Sequence, residues 1–370
     1  MKKICQLICI VMICTSCVTK TRKEIIEENH KMFQVSLIAA GDNLMHQSLL
    51  DEANSGGSYD FKPYYRSIKP YIEKYDLSFI NQESILGGKQ FGYSGYPLFN
   101  TPDEMAEALC DTGFDVVNGS NNHALDMFEA GVDHALKVFS KYKEMTYIGL
   151  KQKEIPVIYK NGIKIAFLAY NHVLNGNVNS SSIQTFDKQK IAQDIEKAKQ
   201  ISDCIIVSCH WGKEYDEIPD DFQKEYAQFL ADEGVDVIIG SHSHTLQPIE
   251  WLKGRNGHQT LVAYSLGNFL SGMMEEETQL GGLLAFDIIK NHDKINIEHV
   301  LLIPIINHYQ VHDINNRKDT RYGFQVYLLK DYTDDLAGFH GLNRYHGIFI
   351  SVDKMKNKVK DRITGIDIDM

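Results

Sequence analysis

The stretch CIIVSCHWGKEYDEIPDDFQKEYAQFLADEGVDVIIGSHSH, residues 204–244, decides how the chain folds. Cys204 to Ser208 is a short apolar run, too short for a buried helix and rich in β-branched residues, so it reads as a strand. Phe222, Tyr226, Phe229 and Leu230 then recur at helical spacing until Gly234 stops them. Val235 to Ile239 is a second apolar run. Strand, helix and strand in this order make a βαβ unit, whose strands are parallel and covered on both faces. Each strand runs directly into polar residues: His210-Trp211 after the first, Ser241-His242-Ser243-His244 after the second. In open α/β sheets the loops at the strand carboxyl ends converge on one crevice, where ligands bind.

Outward from this unit the pattern repeats in both directions. Strands are expected at Val35 to Ala40, Leu77 to Ile80, Val116 to Asn118, Ile163 to Tyr170 and Leu261 to Ser265. Helical stripes lie between them: Val132, Ala135, Leu136 and Phe139, then Ile191, Ile195 and Ala198. A further helix is expected from Thr101, with Pro102 in its first turn, a T-x-x-E capping box closed by Glu104, a stripe of Met105, Leu109 and Cys110, and Gly113 as its stop. The other strands also end in polar groups: Gly41-Asp42, Asn81-Gln82-Glu83, Asn121-Asn122-His123 and Gly267-Asn268. After Gly281 the pattern becomes a hairpin, Gly282 to Ile289 and Lys294 to Pro304 joined by Lys290 to Asp293. Arg321 to Leu329 and Arg344 to Val352 read as strands with no chemistry assigned to them.

The 370 residues are 43% hydrophobic and carry a formal net charge of -11, a globular composition that excludes a disordered or fibrous chain. Acidity argues against nucleic acid as a partner, because binding a phosphate backbone draws on a surplus of Lys and Arg. Residues 1–16 read as a signal peptide: Lys2 and Lys3, an apolar run from Ile4 to Ile13 too short to span a bilayer, and Thr15-Ser16 directly before Cys17. The end of this segment resembles a lipoprotein lipobox, with Cys14 where that pattern usually has Leu. Two readings are open: lipid on Cys17 anchoring the chain to a membrane, or simple cleavage and release. Residues 17–33 are charged and read as a tether. Of the later cysteines, Cys204 and Cys209 lie on opposite faces of one strand, so they and Cys110 form no disulfide framework.

The strand ends together supply Asp42, His46, Glu83, Asn122, His123, Asp126, His210, His242 and His244. Carboxylate, carboxamide and imidazole suit divalent Mn, Fe or Zn, and one carboxylate can bridge two ions. Two ions about 3.5–4 Å apart activate water and clamp both oxygens of a displacement at phosphorus. Singly, Asp42 and His46 read as helix-start residues. His242-Ser243-His244 reads as ligating, provided that a turn brings both rings to one side. Asp126, three residues after His123, is placed to orient it. Trp211 reads as packing, Glu214 and Tyr215 as supporting residues, and His134, His258, His292, His299, His308, His312, His340 and His346 as structural.

The runs Ala40–Met45, Ile80–Glu83, Ser120–Asp126, His210–Tyr215, Ile239–His244 and Tyr264–Phe269 resemble the bacterial capsule synthesis protein family, the CapA-type group associated with poly-gamma-glutamate capsules. The resemblance covers Val35 to Phe269. That family is similar to the calcineurin-like metallophosphoesterases, so the resemblance implies a metallophosphatase-like four-layer α/β/β/α sandwich formed by residues 34–275, with 276–370 completing the second sheet. It implies a first metal on Asp42 and His244, a bridging Glu83 where the superfamily has Asp, and a second metal on Asn122, His210 and His242. His123 would protonate the leaving group or stabilise the phosphoryl oxygens. His46 would be a further ligand, although three residues separate it from Asp42 where the superfamily has one. The implied function is metal-dependent hydrolysis of a phosphoester or cell-surface polymer, in the bacterial envelope facing periplasm or exterior, beside the capsule machinery. Two other readings compete: a non-catalytic metal-binding envelope component serving polymer export or assembly, and a periplasmic binding protein for a small ligand.

Overall fold

The computed structural model describes residues 32–172, 174–175 and 180–370. The signal, Cys17 and all but the end of the tether lie outside them. In chain order the strands are β1 (Met32–Leu44), β2 (Asn54–Ser55), β3 (Ser58–Tyr59), β4 (Leu77–Gln82), β5 (Val116–Asn118), β6 (Thr146–Ile148), β7 (Val157–Lys160), β8 (Ile163–Asn171) and β9 (Cys204–His210). They continue as β10 (Val237–Ser241), β11 (Ile249–Lys253), β12 (Gln259–Ala263), β13 (Asn268–Ser271), β14 (Leu280–Asn291), β15 (Lys294–Val311), β16 (Arg321–Leu328) and β17 (Asp367–Ile368).

One sheet runs β16-β15-β14-β1-β4-β5-β6, with β13 beside β1 and β17 beside β15; the other runs β11-β12-β10-β9-β8-β7. Each is built around parallel strands, β1-β4-β5-β6 and β8-β9-β10-β12, with antiparallel strands at the edges. The two-residue period of a strand sorts the side chains between the layers. Ile165, Phe167, Cys204, Ile206 and Ile239 face the first sheet. Leu168, Tyr170, Ile205, Val207 and Cys209 face outward onto Ile191, Ile195, Ala198 and Leu230 of helices Lys188–Ile201 and Asp221–Asp232. Phe79 of β4 stacks on Phe167 of β8 at 6.5 Å, which marks the seam between the sheets. Helices Gln47–Ala53 and Lys62–Tyr65 pack against β16 on the far side. The result is the expected four-layer α/β/β/α sandwich, and Cys204 and Cys209 do lie in different layers.

The structure corrects the sequence reading at several places. Residues 276–370 do not complete the second sheet. β14 pairs antiparallel along β1 from Met32↔Asn291 to Ala40↔Leu283, so the C-terminal strands extend the first sheet. The tether gives way at Met32, because β1 starts there. The Thr101–Glu104 capping box does not form: the Thr101 hydroxyl donates to Ser84 Oγ at 2.7 Å, and the helix is Glu104–Thr112. Gly113 does end it, at φ 97°. A capping box closes on helix Asp221–Asp232 instead, between Asp220 and Gln223. Residues 344–352 are not a strand, since Arg344, His346 and Gly347 all have positive φ, and Val352 opens helix Val352–Arg362. Among the described residues no helix is long and apolar enough to cross a membrane.

The added strands bury a pair of histidines away from the strand-end crevice. His308 Nδ1 lies 2.7 Å from the Tyr332 hydroxyl, and His340 Nε2 donates to the Asn307 carbonyl at 3.0 Å. Burial lowers both, His308 from 6.5 to about 4 and His340 from 6.5 to about 3. The unfolded chain therefore binds protons that the folded chain does not. Stability is full above pH 6.5 and is lost as pH falls from there toward the folded values, by about 1.4 kcal/mol per pH unit for each ring. Urea unfolding between pH 7.5 and 5 should show this decline, with a shallower slope in His340→Gln.

Candidate metal centre

The candidate ligands come from both sheets. β1 delivers Asp42 and the turn after β4 delivers Glu83; β9 ends on His210, and His242 and His244 follow β10. Gly41 makes the approach of β1 possible, because a Cβ there would lie 2.0 Å from the Gly267 carbonyl oxygen. That oxygen accepts the Asp42 N–H at 2.9 Å. Asp42 Oδ1 accepts from Asn81 Nδ2 at 2.7 Å, and its Oδ2 accepts the His242 N–H at 3.2 Å. His242 and His244 sit at φ 97° and 60°, a left-handed backbone that costs energy for any residue with a Cβ. This is the turn that the alternating His242-Ser243-His244 needed.

Two ligand groups share one carboxylate. Asp42, Glu83 and His244 place one ligand atom each within 4.8 Å of one another, and so do Glu83, His210 and His242. Glu83 Oε1 is 3.6 Å from His210 Nε2, and its Oε2 is 3.7 Å from His244 Nδ1. Among the described residues both oxygens are buried without a hydrogen-bond partner, as is His242 Nδ1. Such orphaned groups cost about 1–3 kcal/mol each unless something else satisfies them. His210 is fixed by Ser241 Oγ at 2.8 Å from Nδ1 and by Asn122 Oδ1 at 2.9 Å from Nε2. Asn268 Oδ1 lies 3.0 Å from His244 Nδ1.

The electrostatics fit a cation. Burial pushes the Glu83 carboxyl well above its usual range. Burial also holds His210 well below 6.5 and His242 at about 3, so both rings are neutral donors of a lone pair. Burial would lower His244 too, but the Glu83 and Asp42 carboxylates outweigh it and raise the ring to about 9. In the protein alone a proton on His244 supplies the positive charge, which a divalent ion would replace. Oxygen and imidazole donors with no thiolate suit Mn, Fe or Zn.

His123 lies beside this cluster. Its Nδ1 is 2.7 Å from Asp126 Oδ2, which also accepts the Phe99 N–H at 2.7 Å, and the Phe99 ring meets the imidazole edge-on at 4.6 Å. Asp126 thus orients His123 as expected. His46 is brought into neither group. The chain turns into helix Gln47–Ala53 at His46, where its Nδ1 accepts the Gly272 N–H at 3.1 Å. Burial holds His46 at about 3, a neutral ring rather than a charged partner. Asn81, Ser241 and Asn268 were visible only as polar strand-end residues, with nothing in their spacing to separate supports from ligands. Asn175, whose Nδ2 lies 3.2 Å from His123 Nδ1, belongs to a loop with no pattern.

Comparison with known proteins identifies the family. The model of the family described as bacterial capsule synthesis protein PGA_cap matches residues 36–273. The PGA biosynthesis protein CapA of Bacillus subtilis is 32% identical over 52% of this chain and 51% of its own length, so the match spans about half of that relative. The capsule biosynthesis protein CapA of Bacillus anthracis is 25% identical over 77% of this chain and 71% of its own. Among solved structures, TT1561 of Thermus thermophilus is similar to this chain at 10% identity with a TM-score of 0.40, covering 71% of this chain and 98% of that one. Matched over most of its two-sheet core, from the strand that carries Asp42 to the one that begins at Asn268, this chain belongs to the bacterial capsule synthesis protein family of the CapA type.

Proposed function

We propose that this capsule biosynthesis protein is a dinuclear metal-dependent hydrolase, phosphoesterase-like in chemistry, that cleaves a cell-surface polymer or a phosphoester derived from one. The observation that carries the reading is Glu83, a buried carboxylate whose two unpartnered oxygens face two separate donor groups. Asp42 and His244 would hold one ion, Asn122, His210 and His242 the other, and Glu83 both. Bound there, the ions would supply Lewis acidity and a nucleophile active near neutral pH. The protein's own part is positional. Asn81 and Asn268 fix the first group, Ser241 fixes His210, and Asp126 holds His123 with its Nε2 available to pass a proton to a leaving oxygen. Lipid on Cys17 would hold the chain to the envelope membrane, facing periplasm or exterior, beside the capsule machinery; the sequence before Cys17 supports this. The names of the Bacillus relatives make poly-gamma-glutamate one polymer to test.

The test is elemental analysis of the full chain after supply of Mn, Fe or Zn, together with turnover of chromogenic phosphoesters and of poly-gamma-glutamate. The wild type should bind about two ions, and His242→Ala about one with turnover lost. Asp126→Asn should keep both ions and lose about a hundredfold in turnover, because only proton transfer is impaired. Full turnover in a His242→Ala protein stripped of metal would sink the assignment. Two ions with no hydrolysis of any of these substrates would turn the site into a structural one.

A further inference from the structure

The hydrolase reading leaves one histidine at the rim of the centre without a task. His46 stands between β1 and helix Gln47–Ala53, and its side chain packs on Gly272, where an added Cβ would come within 2.7 Å of the His46 Cβ. The Gly272 N–H donates to His46 Nδ1 at 3.1 Å, and Arg321 Nη1 donates to the Gly272 carbonyl, so the residue that holds the ring is itself held. The Leu44 carbonyl lies 3.3 Å from the same ring nitrogen, but it already accepts the His46 N–H at 3.2 Å. A backbone N–H can only donate, so Nδ1 must keep its lone pair and the proton of the neutral ring sits on Nε2. The backbone thus sets the tautomer.

The Nε2–H can be reached. Among the described residues nothing hydrogen-bonds to Nε2, and unlike Glu83 Oε1 or His242 Nδ1 it is not sealed from solvent. Its surroundings are those of the metal centre. His46 and His123 meet the same Phe99 ring edge-on, at 5.2 and 4.6 Å between centroids, so a single aromatic ring spaces the two imidazoles. β13 serves His46 and His244 alike: Asn268 at its start contacts His244 Nδ1, and Gly272 just past its end contacts His46. Besides burial, the charges of Arg321, His244 and His123 depress the ring and help to keep it neutral. Its N–H calls for an oxygen lone pair. With Arg321 in electrostatic reach and two candidate cation sites beside it, the oxygen that fits is one that carries negative charge.

We propose that His46 is a substrate-binding residue of this centre rather than a metal ligand: its Nε2–H donates to an anionic oxygen of the substrate, a non-bridging phosphoryl oxygen or a carboxylate oxygen. The proposal rests on the hydrolase reading for the presence of a substrate at the ions, but the contact it asserts is read by binding alone. Asparagine and glutamine divide the two ring nitrogens between them. His46→Asn sets an oxygen where Nδ1 accepts from Gly272 and leaves nothing in the place of Nε2, whereas His46→Gln brings an N–H to the place of Nε2 and gives up Gly272. Isothermal titration of the full chain loaded with Mn, against inorganic phosphate and separately against a γ-glutamate oligomer, tests this, with metal content measured for each protein. Both variants should hold as much metal as the wild type. His46→Asn should weaken at least one of the two anions about tenfold, and His46→Gln the same anion by no more than about threefold. The anion affected tells phosphoryl from carboxylate. The proposal is overturned if neither anion binds the wild type, if His46→Asn binds both as the wild type does, or if His46→Gln loses as much affinity as His46→Asn, which is the pattern of a purely structural ring. Loss of metal in His46→Asn overturns it too, since His46 would then be a ligand. Anion binding that depends on His46 in a protein that hydrolyses none of the substrates tested would remove the hydrolase reading alone.

Discussion

Glu83→Gln should reduce bound divalent metal from about two ions per chain to nearly none, the largest functional effect expected of any single substitution here. Asp42 with His244, and His210 with His242, are each one carboxylate short of a complete group without it. In the protein without metal Glu83 faces the raised His244 ring at 3.7 Å, so a neutral amide removes one charge of a buried pair. Thermal unfolding in chelator should therefore show Glu83→Gln less stable than the wild type. With metal at a hundred times its dissociation constant, the wild type should gain about 2.7 kcal/mol that the variant does not. Equal metal-dependent stabilisation of both proteins would remove Glu83 from the centre.

Gly41→Ala should damage the fold near the site severely. The added methyl would sit 2.0 Å from the Gly267 carbonyl oxygen, a backbone atom that cannot rotate away. β1 and the turn before β13 must then part, which breaks the Asp42 N–H bond to that oxygen and displaces Asp42 from Asn81. A loss of roughly 2–4 kcal/mol is expected, with reduced metal content in the fraction that folds. Gly338→Ala is the control: a Cβ there meets nothing within 4 Å, and its unfolding midpoint should stay near the wild-type value or rise slightly. Denaturant titration of the two variants beside the wild type checks both.

The sequence made the sandwich and most of the site legible for a local reason. Parallel strands buried on both faces are continuous apolar runs, and a polar side chain immediately after such a run has few places to go except the crevice. Asp42, Glu83, His210, His242 and His244 were all found this way, and the structure gathers all of them. His46 was not excluded, because separation along the chain cannot show that the backbone turns into a helix one residue later or that a distant Gly272 N–H takes the ring nitrogen. The C-terminal strands were recognised as strands, but their partner was not, since an alternating pattern states that one face is covered and not by which sheet. Residues 344–352 looked extended because Tyr, Phe and Ile favour strands; three left-handed residues overrode that preference. Thr101 had the spacing of a cap, and a tertiary partner, Ser84, won its hydroxyl.

The candidate ligands of each group are drawn from opposite sheets: Asp42 and Glu83 come from one, and His210, His242 and His244 from the other. On the proposed reading, filling the centre and closing the seam would be one equilibrium viewed from two ends. Whatever pries the sheets apart at that rim, a core substitution beside Phe79 and Phe167 or a moderate dose of urea, would then loosen the grip on an ion by the same free energy with which the ion resists the prying. Affinity for metal would thus gauge how firmly the two halves are laced together, and it could be read without touching a single candidate ligand.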